Sequence, residues 1–408
     1  MTLRVLGALG LMLIGALLGV PVAAVLGIVV LMLETVHAIW AQRGLRGVRY
    51  RRHLATHRMA WGDRIDLDVE VWNRKRLPLA WLRADDAISP GLAIQGHRSV
   101  ETEVFGPTLR NSWTLAPFER VVRHLGITAE RRGVFTIGPV DVSVGDLFAR
   151  QAAATELADV DTITVWPRTV ASSSVVRPER WGDLDRSRKG LIEDPSRFAG
   201  VRPYSPGDPL RRIHPRTSAR LGRPMTKRFD PSRERDVLIA LDLQTEPGAT
   251  WELSVDDDVV EGLFVIAGSI ARSLAAERAA FGLTAAGYSG LPTRFADVPV
   301  AHAGGQAERV LDLLARLSST PSAPFETLLA RIARRHSSGT TVVVITARAP
   351  GPFIRPLRGL RKAGFGVAIV AAGPDAVVHA AAAREAGVVA RAAILDGPWR
   401  VAGQLRLA

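Results

Sequence analysis

The chain contains no cysteine. That absence excludes disulfides, thiol nucleophiles and cysteine-ligated zinc together. Lysine is also scarce, standing only at Lys75, Lys189, Lys227 and Lys362, so the formal charge of +13 rests on arginine. Such a balance raises nucleic acid or an anionic membrane as partners. Acidic residues, however, are mixed among the arginines almost throughout, and an arginine-rich genomic composition accounts for the same excess. Glycine loops of the P-loop or dinucleotide-binding type are missing, so the sequence offers no nucleotide site of its own. His53 and His57 are four apart, the spacing of a zinc-binding pair on a helix. The intervening Leu-Ala-Thr lacks the glutamate of a catalytic pair, and Arg51, Arg52 and Arg58 surround it, so the stretch reads as a polar, membrane-proximal segment.

What the sequence does contain is a long apolar beginning. No charged side chain occurs from Val5 to Leu33, and apolar character continues past Glu34 to Trp40. A hydrocarbon layer of about 30 Å needs about 20 helical residues. Two such lengths fit between Thr2 and Ala41 if Gly19-Val20-Pro21 turns tightly, with Pro21 suited to the first turn of a second helix. Arg4 precedes the block, and Arg43, Arg46, Arg49, Arg51 and Arg52 follow it. Positive-inside reasoning therefore gives a hairpin with both flanks in the cytoplasm. A single tilted span is the second reading. A signal peptide cleaved near Val22-Ala23-Ala24 is the third, opposed by the apolar run that resumes at once.

The remaining chain, within 408 residues of 47% apolar composition, is long enough for two or three domains. From 43 to 168 the texture is that of short alternating strands. In Arg64–Asn73, Ile65, Leu67, Val69 and Val71 share one face, and further such runs are separated by Gly, Pro, Asn and Asp. This predicts an antiparallel, sandwich-like domain. Residues 169–235 show neither period and read as an unusually long connector. From 236 to 408 strand and helix alternate, starting with DVLIALDL and a helix capped by Asp256-Asp257-Asp258, which predicts a parallel sheet flanked by helices. Ligands of such sheets gather at the carboxyl ends of the strands. There Asp242 could hold a hard cation, but Arg348 ends the next polar strand and works against one. The expectation is no metal and no cofactor.

The connector holds the sequence RFAGVRPYSPGDPLRRIHPRTSARLGR, residues 197–223. Its Pro and Gly-Asp steps predict consecutive turns. Asp208 lies close enough to Arg211, Arg212, Arg216 or Arg220 to fasten one by a forked contact. A domain clamp and a protein- or anion-docking surface both fit these residues.

This stretch closely resembles the signature of the bacterial domain of unknown function 58 family. Arg132-Gly133 through Gly138-Pro139 and Val165-Trp166-Pro167 match further family motifs, so the resemblance extends over most of the chain. Carried over residue by residue, the signature falls on Arg202, Tyr204, Gly207, Asp208, Arg211, Ile213, Ser218, Ala219 and Arg220, with Arg216 among them in the same segment. Pro215 replaces the usual tryptophan. The resemblance implies two membrane helices, a β-rich region and a von Willebrand factor A-like domain. In that domain Gln244 and Glu246 replace the serines of metal-binding versions. It also implies a non-enzymatic adaptor at the plasma membrane that partners a MoxR-type AAA+ ATPase. Asp208 and Arg202 are then expected to be structural, and Arg216 and Arg220 to dock. A basic nucleic-acid or anionic-surface binder is the alternative, although no nucleic acid is expected.

Overall fold

The computed structural model describes residues 3–95, 100–102, 106–148, 150–172, 193–206, 208–231, 236–245 and 255–408. The chain divides into two compact units, Met1–Trp166 and Pro167–Ala408. Each is built on a separate hydrophobic core.

The first unit opens with helices Leu3–Leu17 and Pro21–Arg43, which pack on each other as a hairpin. Gly19, at φ 67°, makes the turn in a conformation that L side chains resist. Two glycines set the close approach of the helices. A Cβ on Gly15 would stand 2.5 Å from Ala24 N, and one on Gly27 would stand 2.7 Å from Ala8 O. Pro21–Arg43 is long and apolar enough to cross a membrane; Leu3–Leu17 is shorter.

Two sheets follow. One has the order Val48–Leu54, Arg64–Asn73, Arg120–Ala129, Leu92–Gln95. The other runs Arg58–Ala60, Asp161–Trp166, Gly133–Gly145, Leu79–Ile88, Gly106–Leu115, Val100–Thr102, with Gln151–Leu157 paired to Gly133–Gly145. Every pairing is antiparallel except that of Asp161–Trp166 with Arg58–Ala60. Residues of both sheets share one core, and Leu67, Val69 and Val71 within it are fully buried, as their alternation requires. The polar segment expected around His53 and His57 is instead the strand Val48–Leu54 and the turn after it. Both histidines are exposed and share no helix face. Tyr50 and Leu54, four residues apart on the same face of the pleat, fill the core, which is why the segment is a strand.

Two charged clusters tie this unit together. In the first, the Arg52 guanidinium, 2% exposed, lies 2.6 Å from Asp86 Oδ1 and 2.8 Å from Asp161 Oδ2, and the Tyr50 hydroxyl donates to Asp86. In the second, Arg150 Nη1 lies 2.9 Å from Glu34 Oε1 and its Nε 3.0 Å from Asp146 Oδ2. His37 Nδ1 stands 2.8 Å from the same Asp146 oxygen. This second cluster fastens the β-hairpin of Gly133–Gly145 and Gln151–Leu157 onto the long apolar helix.

The second unit holds a sheet whose central strands are parallel. Ala296–Ala301, Phe281–Ala285, Val237–Leu241, Thr341–Thr346, Gly366–Ala371, Val389–Leu395 and Gln404–Leu407 are neighbours in that order, and only Ala296–Ala301 and Gln404–Leu407 pair antiparallel. Val237–Leu241 is buried at every position, the mark of a strand covered on both faces. Asp256 caps the helix Asp257–Ala276 by accepting from the N–H groups of Asp258 and Val259. That helix is also long and apolar enough to span a membrane, but most of it is buried in the core.

The expected connector is partly a folded element. Glu193–Pro203 pairs antiparallel with Met225–Pro231, and a 3-10 turn, Leu210–Arg212, and a helix, Pro215–Leu221, lie between them. A two-stranded ribbon needs no regular apolar alternation, so its strands left no periodic trace.

Candidate functional site

The ribbon carries the signature residues at its closed end. Asp208 does not reach the arginines after it. Its Oδ1 accepts from Arg202 Nη2 at 2.6 Å, and its Oδ2 accepts from Ser205 N at 3.0 Å and Thr226 Oγ1 at 3.2 Å. The forked downstream contact is thereby corrected: the partner is Arg202, on the opposite side of the turn, and the contact is single. Nor is the guanidinium buried, since the Arg202 side chain is 45% exposed. Arg202, followed by the Ser205 N–H, holds the Asp208 carboxyl below its ordinary range.

Ser218 is the second fastening point. Its hydroxyl donates to His214 O at 2.9 Å and accepts from Met225 N at 2.9 Å, bolting the short helix to the returning strand. His214 caps the helix, with Nδ1 accepting from Thr217 N, and Pro215 occupies the first turn. Pro215 is thus a helix starter. Gly222, at φ 65°, ends the helix in the left-handed conformation. Ile213 bridges to Thr226, and the Tyr204 N–H donates to Pro224 O at 3.0 Å. Gly207 and Glu246 lie outside the described residues.

The structure therefore brings Arg202, Tyr204, Asp208, Ile213 and Ser218 into one scaffold. Arg211, Arg216 and Arg220 stand outside it. These three and Arg223 are exposed, and none pairs with an acid among the described residues. Leu210 and Leu221, 72% and 49% exposed, lie beside them. Sequence reasoning missed Thr226, Leu210 and Leu221. Thr226 carries no local signal, because its role depends on a pairing across more than twenty residues.

The second candidate is the end of the strand Val237–Leu241. Asp242 is 1% exposed. Its Oδ2 accepts from Thr346 Oγ1 and from Arg348 Nε, both at 2.9 Å, while its Oδ1 accepts from Gln244 N at 3.1 Å. Gln244 Oε1 accepts from Phe325 N at 3.2 Å. Arg348 Nη2 is buried without a hydrogen-bond partner among the described residues and lies 3.7 Å from Glu326 Oε1. Burial pushes the Asp242 carboxyl up to about 6, and Arg348 opposes that rise without cancelling it. No group of three or more His, Asp or Glu side chains suited to a metal occurs among the described residues. At this strand end the positive charge that would face the carboxylate is a guanidinium of the chain itself.

Residues 200–368 match the family described as protein of unknown function DUF58. The match begins at the ribbon and runs through the Asp242 strand end to the strand Gly366–Ala371. Over those residues the chain is similar to the DUF58 family. A relative in Bacillus subtilis (strain 168), the uncharacterized protein YeaD, is 25% identical over 202 residues. Those residues are 48% of this chain and 48% of YeaD, so the chain spans about half the length of the curated relative it matches. Among solved structures, the CARDB domain of the Pyrococcus furiosus PF1109 protein is 12% identical, covering 29% of this chain and 86% of its own, at a TM-score of 0.20. A cohesin module of a Clostridium perfringens family 33 glycoside hydrolase is 10% identical, covering 28% and 96%, at a TM-score of 0.20.

Proposed function

We propose that this chain is a membrane-anchored, non-enzymatic adaptor that works with a MoxR-type AAA+ ATPase in the assembly or maturation of a client protein. In this reading the parallel sheet is a von Willebrand factor A-like domain, and the soluble parts face the cytoplasm. The observation that carries it is the surface at the closed end of the ribbon. Four arginines without acidic partners among the described residues stand beside two exposed leucines, on a scaffold held by Asp208 and Ser218. Mixed cationic and apolar surface suits a protein partner that carries acids, and arginine is the cation enriched at such interfaces. The apolar hairpin supports the anchor, and the arginines after it support the cytoplasmic side. At the Asp242 strand end, the internal guanidinium favours a scaffold role over metal-dependent chemistry.

Co-purification from the native membrane in mild detergent, followed by mass spectrometry, tests this function. Recovery of an AAA+ ATPase at moderate salt is the expected result. Recovery of DNA or RNA in its place, lost steeply as salt rises, would overturn it in favour of nucleic-acid binding.

A further inference from the structure

Two large apolar side chains stand exposed at the tip of the β-hairpin Gly133–Gly145/Gln151–Leu157. Leu147 is 62% exposed and Phe148 54%. The described residues of the tip are tied down by hydrogen bonds. Asp146, whose side chain is fully buried, accepts from the backbone N–H of Phe148 at 2.9 Å and of Arg150 at 3.1 Å. Arg150 in turn reaches the carbonyl of Leu33 at 3.2 Å and the carboxylate of Glu34 at 2.9 Å. The tip is therefore held against the apolar helix at Leu33 to His37, where the uncharged run ends.

The length of that helix says what covers the two side chains. From Pro21 to Leu33 the helix rises about 20 Å, well short of a hydrocarbon layer of about 30 Å. Counted from Pro21 to Trp40 the rise is about 30 Å, a full thickness. A span of full thickness thus continues past Glu34 to Trp40, and it carries the attached tip roughly 9 Å inside the hydrocarbon edge. Glu34 is prepared for that position. Arg150 pairs with it at 2.9 Å, and Arg4 of the first helix lies 3.8 Å away, as a charge inside the boundary requires.

We propose that Leu147 and Phe148 form a lipid-facing wedge, seated in the headgroup–acyl boundary beside the helical hairpin. The inference rests on the reading of that hairpin as a membrane anchor. The occupant of the exposed apolar tip is the acyl chain of a phospholipid, and the depth matches the roughly 5–10 Å at which interfacial apolar residues settle.

Because the chain has no cysteine, single-cysteine variants label at one place only. The full chain carrying Leu147→Cys, Phe148→Cys, Leu26→Cys or Val160→Cys would be labelled with an environment-sensitive fluorophore. Each would be reconstituted into phosphatidylethanolamine–phosphatidylglycerol vesicles containing lipids brominated at defined depths. All four positions are exposed, so the cysteine disturbs no core. Val160 follows the strand Gln151–Leu157 and stands at the opposite end of the same β-hairpin from the wedge. The expected result is that labels at Leu147 and Phe148 lose at least about half of their emission to shallow bromines, as interfacial side chains should. Leu26 is quenched by deep bromines and Val160 is not quenched. Labels at Leu147 and Phe148 that behave like Val160, with Leu26 still quenched, would overturn the wedge and leave the anchor standing. An unquenched Leu26 would remove the anchor, and the wedge with it.

Discussion

Arg348 Nε lies 2.9 Å from Asp242 Oδ2, at the carboxyl end of a fully buried strand. Removing the cation leaves a buried carboxylate uncompensated. Arg348→Leu is therefore expected to cost about 3–5 kcal/mol of unfolding free energy at pH 7, measured by denaturant titration of the full chain in detergent. The deficit should shrink at pH 5, where Asp242 can protonate. An equal deficit at both pH values would show that the charge is not the cause.

The pH dependence of the same group has a definite sign. The folded-state value of Asp242 is raised from 3.8 to about 6. The folded chain therefore holds this proton between those values and the unfolded chain does not. Its contribution favours folding at the acid end of the window and is lost as pH rises from about 4 to 6. Asp242→Asn should flatten that part of the stability profile, by on the order of 3 kcal/mol. An unchanged slope in thermal melts would count against a raised value.

In the β-rich unit, Arg52 is flanked by Asp86 and Asp161 with almost no solvent contact. Arg52→Leu is expected to destabilise by about 3–5 kcal/mol, and Tyr50→Phe, which removes one donor to Asp86, by about 1–3 kcal/mol. The ordering is the test: a Tyr50→Phe loss equal to that of Arg52→Leu would mean that the hydroxyl's hydrogen bond to Asp86 matters as much as the guanidinium.

At the ribbon, Asp208→Ala should speed amide hydrogen exchange at Ser205 while changing the global melting point little, because its partner Arg202 is nearly half exposed. Arg202 and the Ser205 N–H lower the folded-state value of Asp208. Its contribution is hence complete above the ordinary carboxyl range and disappears as pH falls through the folded value, below 3.8. Slow exchange that survives in the variant would show that the turn holds without the carboxylate.

Under the proposed function, the double variant Arg216→Glu, Arg220→Glu should abolish capture of the ATPase with an unchanged melting transition, since neither side chain has a folded-state acid partner among the described residues. Normal capture at equal expression would remove these arginines from the docking surface.

The sequence was most legible where burial repeats with a short period. The strand Arg64–Asn73 and the helix Asp257–Ala276 can both be read from their apolar spacing, and residue type places the cap within Asp256-Asp257-Asp258, where the structure assigns it to Asp256. The opposition between Asp242 and Arg348 was also visible, because in a parallel sheet successive strand ends converge. The partners of Asp208 were not. Turn residues announce that the chain reverses but not which strand returns beside it, and Thr226 enters only through the pairing of Arg202 with Thr226 across the ribbon. The strand Leu79–Ile88 was likewise unread, because its inward face includes the ion-paired Asp86, which breaks the apolar alternation.

The join between the apolar helix and the β-rich unit has a mechanical consequence. Only Gly44 to Gly47 separate the helix from the first strand. Lys75 Nζ donates to the Gly44 carbonyl at 2.7 Å, Arg74 N donates to the Gly47 carbonyl at 2.8 Å, and Arg150 grips the helix about three turns further back. An anchor fixed at both places behaves as a stiff lever, where a chain of free residues would be a leash. In the proposed membrane anchor its angular freedom is that of the helix in the bilayer, so torque applied to the β-rich unit is delivered to the hairpin, and any partner that binds that unit meets it at a set height and tilt.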